Sequence, residues 1–240
     1  SYVFLETQFI KSLRAMAAPT RQRTIAALSE AFLPTPEIRD VLGDSPVYVD
    51  ADISSYVEFL KETRITVRLN AAACLKRLKQ LKAGGAENST QLRKIYRQLD
   101  MLWEKESTSI KAEFIRHGLI HLKGRQPSWV GPSGVTWRSS NSLFLDSIYP
   151  PLENQYKDFS SFFVNKLGVA KDLSTSKMVD ALPKLLIIAT AGERAREAAT
   201  IYKRMNRDIA PRFGQLSLNQ PEWLEDIKND EVFLNQRGEL

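Results

Sequence analysis

The chain has 240 residues but only one cysteine, Cys74, and two histidines, His117 and His121. One thiol excludes an internal disulfide and fits a reducing, intracellular compartment, cytoplasm or nucleus. Its neighbours Ala71, Ala72 and Ala73 mark Cys74 as a small packing residue rather than a reactive one. The histidines are four apart, as on a metal-binding helix, but Gly118 stands where the glutamate of His-Glu-x-x-His would be. They read as a helix end and a strand, and no metal site is expected. The sequence also lacks a Gly-x-Ser-x-Gly elbow and a Gly-x-x-x-x-Gly-Lys-Ser/Thr loop. The carboxylate pairs Asp50 with Asp52 and Glu104 with Glu106 read as turn, cap or surface charges. No reaction is named, so the chain is expected not to be an enzyme and to need no cofactor. The longest apolar run, Leu185 to Ala191, falls far short of the roughly 20 residues of a membrane span. Residues 1–6 lack the basic and apolar regions of a secretory signal. A start at Ser1 without Met and a stop at Leu240 in mid-motif suggest a piece of a longer protein.

What is present is an apparent internal repeat at a step of about 104 residues. Ala31, Phe32, Phe59, Ile65, Leu75, Leu78 and Leu81 land on Val135, Thr136, Phe163, Val169, Val179, Leu182 and Leu185. After a two-residue drift, Ile95-Tyr96-Arg97-Gln98-Leu99 meets Ile201-Tyr202-Lys203-Arg204-Met205. This periodicity divides the chain into a helical flanking segment over 1–28, a first unit over 29–117, a second over 118–231, and the start of a third at 232–240. Arrays of such units usually span and bind rather than catalyse.

Within the first unit, Leu69, Ala72, Leu75, Leu78 and Leu81 predict a helix over 69–82 with Lys76, Arg77, Lys79 and Lys82 on its solvent side. Gly84-Gly85 stops it, and Asn88, Ser89 or Thr90 caps the next helix, carried by Leu92, Ile95, Tyr96, Leu99, Leu102 and Trp103. A third, shorter helix carries Ile110, Phe114 and Ile115 to Gly118. Leu119 to Leu122 and Val135 to Trp137 are short β-prone runs around Gly131-Pro132-Ser133-Gly134, which predicts strand, turn, strand. That turn is too short and proline-broken to cradle phosphate, and Trp129 and Trp137 beside it read as core. Leu152, Tyr156, Phe159, Phe163 and Leu167 predict a helix. Another helix runs through Val179 and Leu182 until Pro183 interrupts it, and Ala195 to Ile209 forms the last. Trp223 and Val232-Phe233-Leu234 follow, a further anchor and a final strand. The fold class is α+β, predominantly α-helical: tandem repeat units of a small β strand-turn-strand element followed by several helices.

These words resemble the region that follows the nucleotide-binding domain in large GHKL-type ATPases similar to sacsin and NO VEIN. The carriers are Ser29-Glu30-Ala31-Phe32-Leu33-Pro34 with Gly43-Asp44-Ser45-Pro46-Val47-Tyr48, and Leu119-Ile120-His121-Leu122 with Trp129-Val130 and Val135-Thr136-Trp137. Tyr156 and Phe162 through Val169 add to them, and Val232-Phe233-Leu234 with Gly238-Glu239 resembles the opening of a further unit. The resemblance implies a non-catalytic, chaperone-like scaffold outside the ATPase domain, relaying conformational change or holding a client protein. The upstream ATPase domain is then a partner. The family's nucleotide pocket has no counterpart in this sequence.

Formal charge is +6 with a pI near 9.4, a mild excess that favours polyanionic partners. It concentrates in Lys76, Arg77, Lys79, Lys82, Arg93, Lys94 and Arg97 against Glu87. Arg204 and Arg207 occupy the matching helix of the second unit. If these side chains share open faces they could bind nucleic acid through phosphates. The competing reading makes them the solvated backs of amphipathic helices, and no nucleic-acid-binding motif accompanies them.

Overall fold

The computed structural model describes residues 12, 17–19, 25–27, 31–44, 46–49, 65, 68–85, 89–187 and 190–209. The chain divides into two compact units, Ser1–Leu119 and Ile120–Leu240. Both are predominantly helical with small β elements.

The first 28 residues were expected to be helical. Their described part instead includes strand β1 (Ala17–Pro19) paired antiparallel with β2 (Ile25–Ala27). Further on, Phe32 and Tyr48 form a parallel bridge, with the Phe32 N–H donating to the Val47 carbonyl at 2.9 Å and the Val49 N–H to that of Phe32 at 3.1 Å. Helix α1 (Pro36–Leu42) fills the connection. Thr35 caps it by accepting the Ile38 N–H at 3.2 Å, and Pro36 occupies the first turn, where its missing N–H costs nothing. Gly43 ends it at φ +74°, a backbone conformation that favours glycine, with the Gln91 side chain packed close by.

Helix α2 (Ala71–Ala83) lies within one residue or two of the predicted span. Asn70 Oδ1 accepts the Ala73 N–H at 2.8 Å. Leu75, Leu78 and Leu81 are buried against α3 (Ser89–His117), whose Leu92, Ile95, Tyr96 and Leu99 are fully buried. Removing each such side chain from water contributes roughly 1.5–3 kcal/mol. The two helices expected between 89 and 118 are one long element interrupted at Glu106, where φ is −133°. The interruption has a use: the Glu106 carboxylate swings out to accept the Ala71 N–H at 3.1 Å, so α3 supplies a second cap to α2. Two side-chain assignments fail. Ile115, expected as an anchor, is 61% exposed, while Arg77, expected on the solvent side, is only 7% exposed.

The second unit opens with β3 (Ile120–His121), paired antiparallel with β4 (Trp129–Val130). The predicted partner of the first run, Val135 to Trp137, lies elsewhere. A 3-10 turn at Pro132–Gly134 carries the chain off the hairpin, and Thr136 bridges in parallel to both Pro151 and Ala170. Val135, Thr136 and Trp137 are all buried, as suits a segment flanked on both sides. Helix α4 (Leu143–Ile148), absent from the sequence reading, is capped by Ser142, which accepts the Leu145 N–H at 3.0 Å.

The helix predicted through Tyr156 and Phe163 is a 3-10 turn at Lys157–Phe159 followed by a π turn at Ser161–Lys166. Tyr156, Phe159, Phe162 and Phe163 explain it. The wide π turn brings adjacent Phe162 and Phe163 inward together, both fully buried with ring centroids 5.3 Å apart, which regular α spacing would not do. Helix α5 (Thr175–Val179) starts at the Ser174 cap, and Pro183 lies in the 3-10 segment Leu182–Ile187 that replaces its continuation. In α6 (Ala191–Ile209), Thr190 caps the helix by accepting the Glu193 N–H at 3.3 Å, and its hydroxyl donates to the Glu193 carboxylate at 2.7 Å. Ala198, Ile201 and Met205 pack with Leu145, Met178, Leu182 and Leu185 in one apolar cluster. Phe59, Trp223 and Val232 to Leu234 lie outside the described residues.

Candidate functional site

The cations singled out from the sequence fall mainly on α2 and α3, and the structure occupies most of them internally. Arg77 is buried, its Nη atoms 3.4 Å from the side-chain oxygens of Gln80 and Gln91. Burial pushes its guanidinium pKa down, with Tyr48 opposing weakly. Gln91 in turn donates to the Leu42 carbonyl, so Arg77 belongs to the joint between α1, α2 and α3. Lys79 pairs with Glu113, whose carboxyl is held below its ordinary value chiefly by the hydrogen bond from Lys79. The Lys82 ammonium donates to the carbonyls of His117 at 2.5 Å and Gly118 at 3.3 Å, satisfying acceptors at the end of α3. Lys94 pairs with Asp40 of α1.

Arg93 is half-buried and Arg97 exposed, and Lys76 is exposed beside an apolar groove lined by Ala72, Leu75, Ala83 and Ser109. In α6, Arg204 donates to the Leu173 carbonyl at 3.2 Å, while Arg207 is exposed. Of the cations on α2 and α3 that the sequence singled out, Lys76, Lys82 and Arg97 are the exposed ones.

His117 ends α3, 3.7 Å from Glu113, and His121 lies in β3 with its ring edge-on to Trp129 at 5.0 Å. Trp129 and Trp137 are 9% and 4% exposed, core residues as expected. Cys74 is fully buried, and that burial, helped by Glu106, pushes its thiol up to about 12. Tyr48 rises likewise to about 12, through burial and then Asp44. Its hydroxyl donates to the Gly43 carbonyl at 2.5 Å, and Arg39 stands over its ring while pairing with Asp44 at 3.1 Å. Among the described residues no group of three or more His, Cys, Asp or Glu is placed to hold a metal ion. Among them also, no helix is long and apolar enough to cross a membrane.

One basic grouping escaped the sequence reading. In unit 2, Trp137, Arg138, Glu153, Asn154, Lys157, Ser160 and Lys171 line a cleft of about 610 Å³. Its cations come from three separate stretches of chain, so no local run of charge marks them. The only signal was that Arg138 directly follows the β-prone run Val135 to Trp137.

Comparison of the chain with protein-family models, curated proteins and solved structures finds no match.

Proposed function

We propose that the chain is a non-catalytic scaffold of two similarly built units, part of a larger protein resembling the sacsin-like and NO VEIN-like ATPases. In that setting it relays conformational change from an upstream ATPase domain or holds a protein client. The supporting observation is the order of elements. In each unit a parallel bridge encloses a short helix, and a polar N-cap then opens a helix that precedes a longer one. The bridge residues Phe32 and Thr136 are 104 positions apart, as are the caps Asn70 and Ser174. That is the step at which the apolar anchors recur. Repeated units of this size more often serve binding than chemistry. The internal occupation of Arg77, Lys79, Lys82, Lys94 and Arg204 leaves fewer of the basic residues for phosphates and so favours the scaffold over nucleic-acid binding.

The exposure of Lys76, Arg97 and Arg207 supports a second reading, a nucleic-acid-binding module. A fluorescence-anisotropy titration with short single- and double-stranded DNA and RNA, at about 50 and 200 mM salt, separates the two. The scaffold reading expects no binding at low salt. Tight, salt-steep binding, lost on charge reversal at Lys76, Arg93 and Arg97 with the melting temperature retained, would replace it with the nucleic-acid module.

A further inference from the structure

Besides the β3–β4 hairpin, three segments of unit 2 are joined by parallel bridges, with the Thr136 segment in the middle. Backbone bonds lock their ends together: Glu153 N–H to the Trp137 carbonyl at 3.0 Å, Trp137 N–H to that of Ala170 at 2.8 Å, and Arg138 N–H to that of Lys171 at 3.0 Å. The lining residues of these segments lie one to three positions past a bridge. Trp137 and Arg138 follow Thr136, Glu153 and Asn154 follow Pro151, and Lys171 follows Ala170. The cleft opens where these hydrogen-bonded segments part beyond their bridges. The volume of about 610 Å³ lies in the range of small-molecule sites, roughly 300–1,000 Å³.

The charges facing this space are Arg138, Lys157 and Lys171 against Glu153, with Asp172 standing 3.9 Å from Arg138 at the side. Among the described residues no carboxylate lies within ion-pair distance of the Lys157 or Lys171 ammonium. This differs from α2 and α3, where Lys79 and Lys94 are already matched. A local excess of positive charge beside these hydrogen-bonded segments suits a ligand carrying more than one negative charge. The Arg138 guanidinium offers the planar fork that phosphate oxygens accept, the lysines add point charges, and Asn154 and Ser160 bring neutral hydrogen-bonding groups to the same wall.

We propose that this cleft binds a phosphate-bearing small molecule of nucleotide size, with Arg138, Lys157 and Lys171 gathered around its phosphates. The site is independent of the scaffold reading, which neither requires nor forbids it. Calorimetric titration of the full chain with inorganic pyrophosphate and with ADP, at about 50 and 200 mM salt, tests it. One-site binding that weakens at the higher salt is expected for both probes. A gain for ADP over pyrophosphate assigns the rest of the cleft to the nucleoside, and equal affinities assign recognition to the phosphates. The double variant Lys157→Gln, Lys171→Gln should weaken binding about tenfold or more, equivalent to about 1.4 kcal/mol. Lys76→Gln should leave it unchanged, and melting temperatures check that every variant folds. The proposal is overturned by absence of saturable binding at millimolar probe, by binding indifferent to the double variant, or by binding of a single-stranded oligonucleotide without binding of pyrophosphate.

Discussion

Tyr96 and Cys74 show how the core of unit 1 handles its polar atoms. The Tyr96 ring is fully buried 6.1 Å from that of Phe114, and its hydroxyl reaches the Leu119 carbonyl at 2.8 Å. Tyr96→Phe keeps the ring and removes that donor, so urea unfolding should report a loss of about 1 kcal/mol, the usual net value of a buried hydrogen bond. Cys74 has no such partner role. With its thiol raised to about 12, almost no thiolate exists at neutral pH. A thiol reagent should leave the folded chain unmodified and react once denaturant is added; rapid reaction in buffer would contradict the packing. Both Cys74 and Tyr48 have folded values above their ordinary 9.0 and 10.0. The sign follows: the stability tied to their protonated forms is complete below pH 9 and is lost as pH rises through the window up to about 12. Tyr48→Phe should flatten part of that alkaline decline, measured as denaturation midpoint against pH.

Among the elements, α2 depends on two acceptors from different parts of the chain, Asn70 and Glu106. Asn70→Ala removes the local cap at a cost of about 1 kcal/mol. Glu106→Ala should cost a similar amount while also letting α3 straighten, seen as increased helical circular dichroism; an unchanged helical signal would mean that the interruption has another cause. Helix positions were legible in the sequence where apolar spacing ran over several turns, as in α2, α3 and α6. They were illegible where packing overrode spacing. Ser142 signals a cap, but six residues of α4 are too few for a period to emerge. The turns around Phe162 and Phe163 are dictated by aromatic crowding that only the tertiary fold creates. Arg77 fails for a related reason: its position looked solvent-facing on an isolated α2, and α1 with Gln91 then covers it.

At the scale of the molecule, each unit carries its own core, and truncating a central aromatic should be costly. Trp137→Ala or Phe163→Ala is expected to destabilise by about 3–5 kcal/mol, read from chemical denaturation. An unchanged midpoint would remove Trp137 from the ladder's core. The candidate basic residues were all visible in the sequence as charges, but their internal partners were not. Glu113 and Asp40 lie far along the chain from Lys79 and Lys94, and a list of charges carries no distances. The cleft at the ladder's end was equally hidden, since parallel pairing between distant segments leaves no local mark.

That same pairing has a kinetic consequence. Thr136 meets Pro151 across 15 residues and Ala170 across 34, and neither connection is a tight turn that could form first by itself. Closing such loops loses chain entropy before any contact rewards it, so the ladder should assemble late, after the adjacent hairpin of β3 and β4. Substitutions at Val135 and Leu152 should accordingly speed unfolding while leaving the refolding rate nearly constant.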